Sequence, residues 1–199
     1  MIIITGAAGM IGSVTAWHLN NILGENDLIL CDDLAHENQE KNFSKRKYLD
    51  FVKKDQLLTS IRQIDAKKID AIIHMGAISA TTEKVFVNLI KDNIRFSQKL
   101  WAYCTEKKIP FIYASSAATY GDGSQGYDDD LNSGLKPLNA YGYSKYFFDR
   151  WALGMAEIIY VHPTGLAVNF LMYMVQMNII RAEWRALFTM RSIKLAMRD

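Results

Sequence analysis

Tyr141 and Lys145, in the segment YGYSK, are spaced so that a lysine can turn a phenol into a base. On a helix, residues four apart share one face, which sets the ammonium beside the phenol. A free phenol, with a pKa of about 10, is almost never ionised at neutral pH, and a fixed cation alongside favours the phenolate. Ser116, in the upstream segment YASSAATYG, comes off the end of a predicted strand and can bind the substrate oxygen that Tyr141 deprotonates. The implied chemistry is oxidation of an alcohol, with Ser116, Tyr141 and Lys145 as its catalytic set. By itself this spacing more often marks a solvated lysine next to a half-buried aromatic, so the elements around it must decide.

The amino-terminal segment MIIITGAAGMIG supplies the deciding context. An apolar run leads into Gly6, Gly9 and Gly12, and a helical pattern follows through Trp17 and Leu19. Strand, glycine turn and helix in that order let backbone amides approach a pyrophosphate at the helix N-terminus. Gly6, Gly9, Met10, Ile11 and Gly12 are therefore candidate dinucleotide contacts. The run LILCDD ends a second strand with Asp32 and Asp33, placed to accept hydrogen bonds from ribose hydroxyls.

Through residue 152 the chain alternates strand and helix. Strands are expected near 2–5, 28–32, 70–74 and 110–115, and helices near 10–23, 55–65, 83–107 and 140–152. Such alternation predicts an α/β fold, a Rossmann-type doubly wound parallel sheet covered on both faces. Gly6, Asp32, His74 to Ala77, and Ser115 and Ser116 all fall at strand C-termini, where ligands bind in such sheets. Gly76 and Ala77 are small enough for close backbone approach to a cofactor. Asn93 is placed either to bond backbone near the nicotinamide end or to cap a kink. His74, with no partner evident in the sequence, is read as a packed or turn residue.

The 199 residues carry a net charge of +2 and are 50% hydrophobic and 22% charged, an ordinary globular balance. Lys41, Lys45, Arg46, Lys47, Lys53 and Lys54 are interspersed with Asp50, Asp55 and apolar residues, which reads as a solvated face and not as a nucleic-acid surface. Cys31 lies in a strand and Cys104 in a helix, so neither a disulfide framework nor a metal site is expected. No signal peptide is read ahead of the glycine turn, and a cytoplasmic protein is expected.

The glycine turn, HMGAISATTE, YASSAATYG and KPLNAYGYSK together resemble the extended short-chain dehydrogenase/reductase superfamily, and within it the ADP-L-glycero-D-manno-heptose 6-epimerases. The resemblance covers about residues 1–152. It implies Tyr141 as acid/base, Lys145 as its activator, Ser116 as substrate-hydroxyl partner, and Gly6, Gly9, Gly12, Asp32 and Asn93 as cofactor contacts. Met10 stands where the family usually has Phe. The implied reaction oxidises C6 of an ADP-heptose and re-reduces it from the opposite face, in lipopolysaccharide core synthesis. NADP is the favoured cofactor, with Lys41 or Lys45 for its 2′-phosphate, although Asp32 suits the free 2′-hydroxyl of NAD. Family members are homo-oligomers. Another extended short-chain epimerase or dehydratase, or a non-catalytic dinucleotide-binding fragment, stays open. Ala117 and Ala118 stand where a dehydratase normally carries acidic residues.

After Leu153 the family pattern stops, and six of the nine methionines follow Gly154. The stretch from Gly165 to Ile180 is largely apolar, but it is too short for a span of about 20 residues and holds Asn169, Gln176 and Asn178. A buried helix is favoured over a membrane span. Back-translating Leu171 to Asn178 from the third base of the Leu codon permits N-V-Y-G-P-N-E, the sequence that the family carries at this point. The expectation is a domain of residues 1–152, a frameshift-derived tail of residues 153–199, and a C-terminally truncated chain lacking its substrate domain and epimerase turnover.

Overall fold

The computed structural model describes residues 1–83, 85–127 and 134–159, with side chains through residue 155. Its strands are β1 (Ile2–Thr5), β2 (Leu28–Asp32), β3 (Asp50–Lys53), β4 (Ala71–His74) and β5 (Phe111–Tyr113). Its helices are α1 (Met10–Asn21), α2 (Lys54–Arg62), α3 (Phe86–Leu89), α4 (Phe96–Lys107) and α5 (Ala140–Ile159). The sheet runs β3-β2-β1-β4-β5 with every pairing parallel. The chain builds outward from β1 to β3, then crosses to the other side of β1 for β4 and β5. That reversal opens a crevice above the carboxyl ends of β1 and β4.

Alternate strand residues serve opposite faces. Ile3, Ile29, Ile72 and Phe111 pack with Leu57 and Ile61 of α2, Leu100 and Trp101 of α4, and Phe148 of α5. Ile2, Ile4, Leu28, Leu30, Ile73 and Ile112 pack with Ala16 and Leu19 of α1 and with Phe43 from the β2–β3 connection. Because both faces are covered, the inner strands read as unbroken apolar runs with no in-out alternation. Each fully buried Ile or Leu is worth about 1.5–3 kcal/mol of transfer free energy, which fixes the strand register.

The doubly wound α/β architecture is the expected one, with differences in detail. β3 was not anticipated; its four residues DFVK bury only Val52 and pair on one side only, with β2. The expected helix 83–107 begins at Phe86 and passes through a π-helical stretch, Ile90–Arg95, before α4. The strand expected through 115 ends at Tyr113. Helix α5 extends past residue 152 to Ile159, as the good helix formers of LGMAEII allow. The expectations for residues 160–199 lie outside the described residues. Among the described residues no helix is long and apolar enough to cross a membrane. Both cysteines are free and buried.

Candidate functional site

The glycine turn is built for close backbone contact. Gly6 has φ +68°, and a Cβ there would stand 2.6 Å from the amide nitrogen of Gly76. A Cβ on Gly12 would stand 2.2 Å from the Gly6 carbonyl oxygen. The turn therefore folds onto the start of α1 and onto the β4 exit at once. Helix α1 starts after Gly9, which gives no side-chain cap, so its first amides suit an anion. Asn42 supports the turn from the β2–β3 connection, its Nδ2 donating to the Ala8 carbonyl at 2.7 Å.

Asp32 closes the turn from the β2 side. Its carboxylate accepts from Ala8 N at 2.8 Å and from Asp33 N at 2.8 Å. Burial raises its pKa above the ordinary value, and these two backbone bonds oppose the rise. Further lone pairs on both oxygens can still accept ribose hydroxyls. Asp33 pairs with Lys54 at 2.9 Å, and Lys54 reaches Asp92 at 3.2 Å. Burial pulls Lys54 down, but its bonds to Asp33 and Asp92 hold it above its ordinary value. Lys54, read from sequence as part of a solvated face, thus joins the β2 and π-helical ends of the crevice. Its signal was its place directly after β3, a strand that sequence reasoning missed. Lys41 and Lys45 are exposed and do not line the crevice.

His74 does have partners, contrary to the sequence reading. Its Nδ1 is 2.6 Å from Thr5 Oγ1 and its Nε2 is 2.8 Å from Ser97 Oγ. Burial, then the charge of Lys145, pushes its pKa down to about 3, so the ring is neutral and packed, as its placement in the core requires. Thr5 Oγ1 also accepts from Gly76 N at 3.2 Å, and Ser97 donates to the Asn93 carbonyl at 2.7 Å. Asn93 is 1% exposed. It accepts from Ile78 N and donates to Ile78 O and Ser144 Oγ. Of the two readings offered for Asn93, bonding of backbone is the one observed; its amide stays behind the crevice wall.

Ser116, Tyr141 and Lys145 converge at the β5 end. Ser116 is the N-cap of a 3-10 turn, Ala117–Tyr120, and lies in hydrogen-bond contact with the Tyr141 phenol. Burial raises the phenol above its ordinary value; the Ser116 bond lowers it and Asp149 raises it further. Lys145 donates to the Ala114 carbonyl at 2.7 Å and is 5% exposed. Burial lowers its pKa to about 8, against the pull of Asp149. The ammonium is thus tied to the Ala114 carbonyl at the β5 exit, and the bond to Ser116 is what opposes the burial of the resting phenol.

A groove of about 710 Å³ joins these parts. Gly6, Gly9, Met10, Ile11 and Gly12 line one end, Asp32, Asp33 and Lys54 the β2 side, Gly76 and Ala77 the floor, and Tyr141 and Lys145 the far end. Ser116 and Asn93 stand just outside its lining. A turn with no room for side chains, an uncapped helix start and a carboxylate at the β2 end fit an extended dinucleotide. Among the described residues no group of three or more His, Cys, Asp or Glu side chains is placed to hold a metal.

A parallel sheet in this order, with a glycine turn between β1 and α1, defines a doubly wound nucleotide-binding domain. More narrowly, the chain belongs to the NAD dependent epimerase/dehydratase family, whose model matches residues 2–166. It is 49% identical over 157 residues to the ADP-L-glycero-D-manno-heptose-6-epimerase of Fusobacterium nucleatum subsp. nucleatum, covering 76% of this chain and 47% of that protein. Against the enzyme of that name from Nitratidesulfovibrio vulgaris it is 46% identical over 155 residues, covering 76% of this chain and 48% of that one. Among solved structures it resembles the Helicobacter pylori ADP-L-glycero-D-manno-heptose-6-epimerase, with a TM-score of 0.64 and 28% identity over 77% of this chain and 50% of that chain. The chain spans about half the length of the curated relatives it matches.

Proposed function

We propose that this chain supplies the dinucleotide-binding half and the first acid/base group of an ADP-heptose 6-epimerase, acting on a nucleotide sugar in the cytoplasm as a homo-oligomer. The observation that carries the reading is that Tyr141, with Ser116 beside its phenol, and Lys145 line the groove whose other end is the glycine turn. Gly6 to Gly12 would hold the pyrophosphate, Asp32 a ribose hydroxyl, and Tyr141 and Lys145 the nicotinamide end. A bound nicotinamide supplies a reversible hydride acceptor. Tyr141, protonated at rest because it is buried, acts once that proton has passed to water: the phenolate takes the proton of the sugar C6 hydroxyl as that carbon is oxidised, and the phenol so formed returns it on re-reduction. Ser116 orients the same oxygen, and the ammonium of Lys145 favours the transient phenolate.

For the cofactor we favour NADP over NAD, with Lys54 as the cation for the 2′-phosphate in place of Lys41 or Lys45. Lys54 lines the groove on the side of Asp32 and Asp33. We also propose the division at residue 152, with residues 153–199 read from a displaced frame of an epimerase gene. The curated matches cover 76% of the chain, and the family model runs on to residue 166. Sequencing the locus checks the division: no family-like continuation in a neighbouring frame would end the idea.

Titration of the 199-residue chain with NADP and NAD tests the function. Saturable binding is expected, retained in Tyr141→Phe, with no epimerisation of ADP-heptose by this chain alone. A folded chain that binds neither dinucleotide would overturn the reading, and turnover of ADP-heptose would overturn the division.

A further inference from the structure

Helix α5 presents Tyr141, Lys145 and Asp149 at intervals of four, one above another on a single face. All three side chains meet the exit of β5. Tyr141 meets Ser116, Lys145 donates to the Ala114 carbonyl, and Asp149 Oδ2 accepts from Ser115 Oγ. Three successive turns of helix are thus fastened to three consecutive residues, Ala114, Ser115 and Ser116. We infer that Asp149 is a positioning residue of this site, a buried carboxylate one helical turn beyond Lys145 that clamps Ser115, so that Ser116 faces Tyr141, and whose negative charge supports the ammonium that Ala114 holds. Asp149 does not itself line the groove, but Ser115, which it clamps, and Lys145, one turn before it, both do. Its influence passes through Lys145 and Ser115, and the inference rests on the reading of Tyr141 as the acid/base group.

The groups around the pair are few. Tyr113 on β5 lies against the carboxylate, His74 on β4 is within electrostatic reach of Lys145, and Tyr141 shares the helix. Burial raises Asp149 to about 6, while Ser115, Lys145 and Tyr113 pull it back. The nearby carboxylate in turn raises Lys145 against the loss of hydration that lowers it. Near neutral pH the carboxylate is therefore ionised and the ammonium retained. Without Asp149, the lysine would face burial alone and titrate lower.

The test is the titration of Lys145, followed by NMR of its side-chain Cε and Nζ in the 199-residue chain, for wild type, Asp149→Asn, Asp149→Glu and Ser115→Ala. Asp149→Asn is expected to move the midpoint down by about tenfold in proton activity or more, as loss of a close opposite charge requires. Asp149→Glu should restore most of it. Ser115→Ala removes the bond that most lowers the Asp149 carboxyl and should move the Lys145 midpoint down as well, by less than Asp149→Asn does. An unchanged Lys145 midpoint in folded Asp149→Asn would overturn the proposal. Should Asp149→Asn fail to fold, an unchanged Lys145 midpoint in Ser115→Ala would overturn it instead. Dinucleotide binding by the wild-type chain is a separate readout, so failure of the functional reading is distinguishable from failure of this one.

Discussion

Replacing Gly12 by Ala sets two effects against each other. In a helix, Ala is favoured over Gly by about 1 kcal/mol, and Gly12 lies in the first turn of α1. Against this gain, the new Cβ would stand 2.2 Å from the Gly6 carbonyl oxygen and 2.7 Å from its carbon, where real Cβ atoms stay beyond 3.0 Å. Both neighbours are backbone, and Gly6 is itself held at φ +68° against Gly76, so neither can swing aside as a side-chain tip would. Forced overpacking of this kind costs about 1–3 kcal/mol, and the steric cost wins. A net loss of up to about 2 kcal/mol corresponds to a fall in melting temperature of up to roughly 8 °C for a chain of this size. Because the shift displaces the amides proposed to hold pyrophosphate, dinucleotide affinity should fall by at least about tenfold, more than stability alone explains. Thermal unfolding and dinucleotide titration of the purified variant give both numbers. A Gly12→Ala protein that melts and binds like wild type would refute the close-approach reading of this turn.

Gly154→Ala is the matched control, since nothing lies within 4 Å of its added Cβ on α5; it should gain about 0.5–1 kcal/mol in denaturant unfolding. Lys54→Met removes the cation paired with Asp33 and Asp92 and should lower the preference for NADP over NAD by about tenfold or more, read from parallel titrations. His74→Gln should change how stability depends on pH. The folded imidazole titrates near 3, below its ordinary 6.5, so its contribution is complete above about pH 6.5 and is lost as pH falls toward 3. The folded Asp149 carboxyl titrates near 6, above its ordinary 3.8, so its contribution is present below about pH 3.8 and is lost as pH rises through 6. The two slopes oppose each other, with the larger shift on His74. Between about pH 4 and 6 the two nearly cancel, so wild type is expected to be nearly flat there and His74→Gln to lose stability as pH rises over the same range, as urea midpoints at several pH values would show.

How far the sequence reveals this site depends on how local each signal is. The glycine turn was legible because its requirement is carried by neighbouring residues: φ at Gly6 and bulk at Gly12 are set within one turn. The pairing of Tyr141 with Lys145 was legible as a spacing, but its electrostatics were not. Spacing puts an ammonium on the phenol's face of the helix and says nothing of the Ala114 carbonyl that holds it or of the burial that lowers its pKa to about 8. Likewise β3 escaped notice because an edge strand of four residues with a single buried side chain has no periodicity to show, and Lys54, placed by that strand, was lost with it. His74 appeared partnerless since Thr5 and Ser97 reach it only across the sheet and from α4, 69 and 23 residues away. Asp149 is the instructive case. It repeats the spacing of four that made Tyr141 and Lys145 visible, yet its meaning rests on Ser115, which only the docking of α5 onto β5 brings beneath it. Motif spacing therefore locates the reacting groups, and the tertiary contacts of the β5 exit decide which of them can keep a charge.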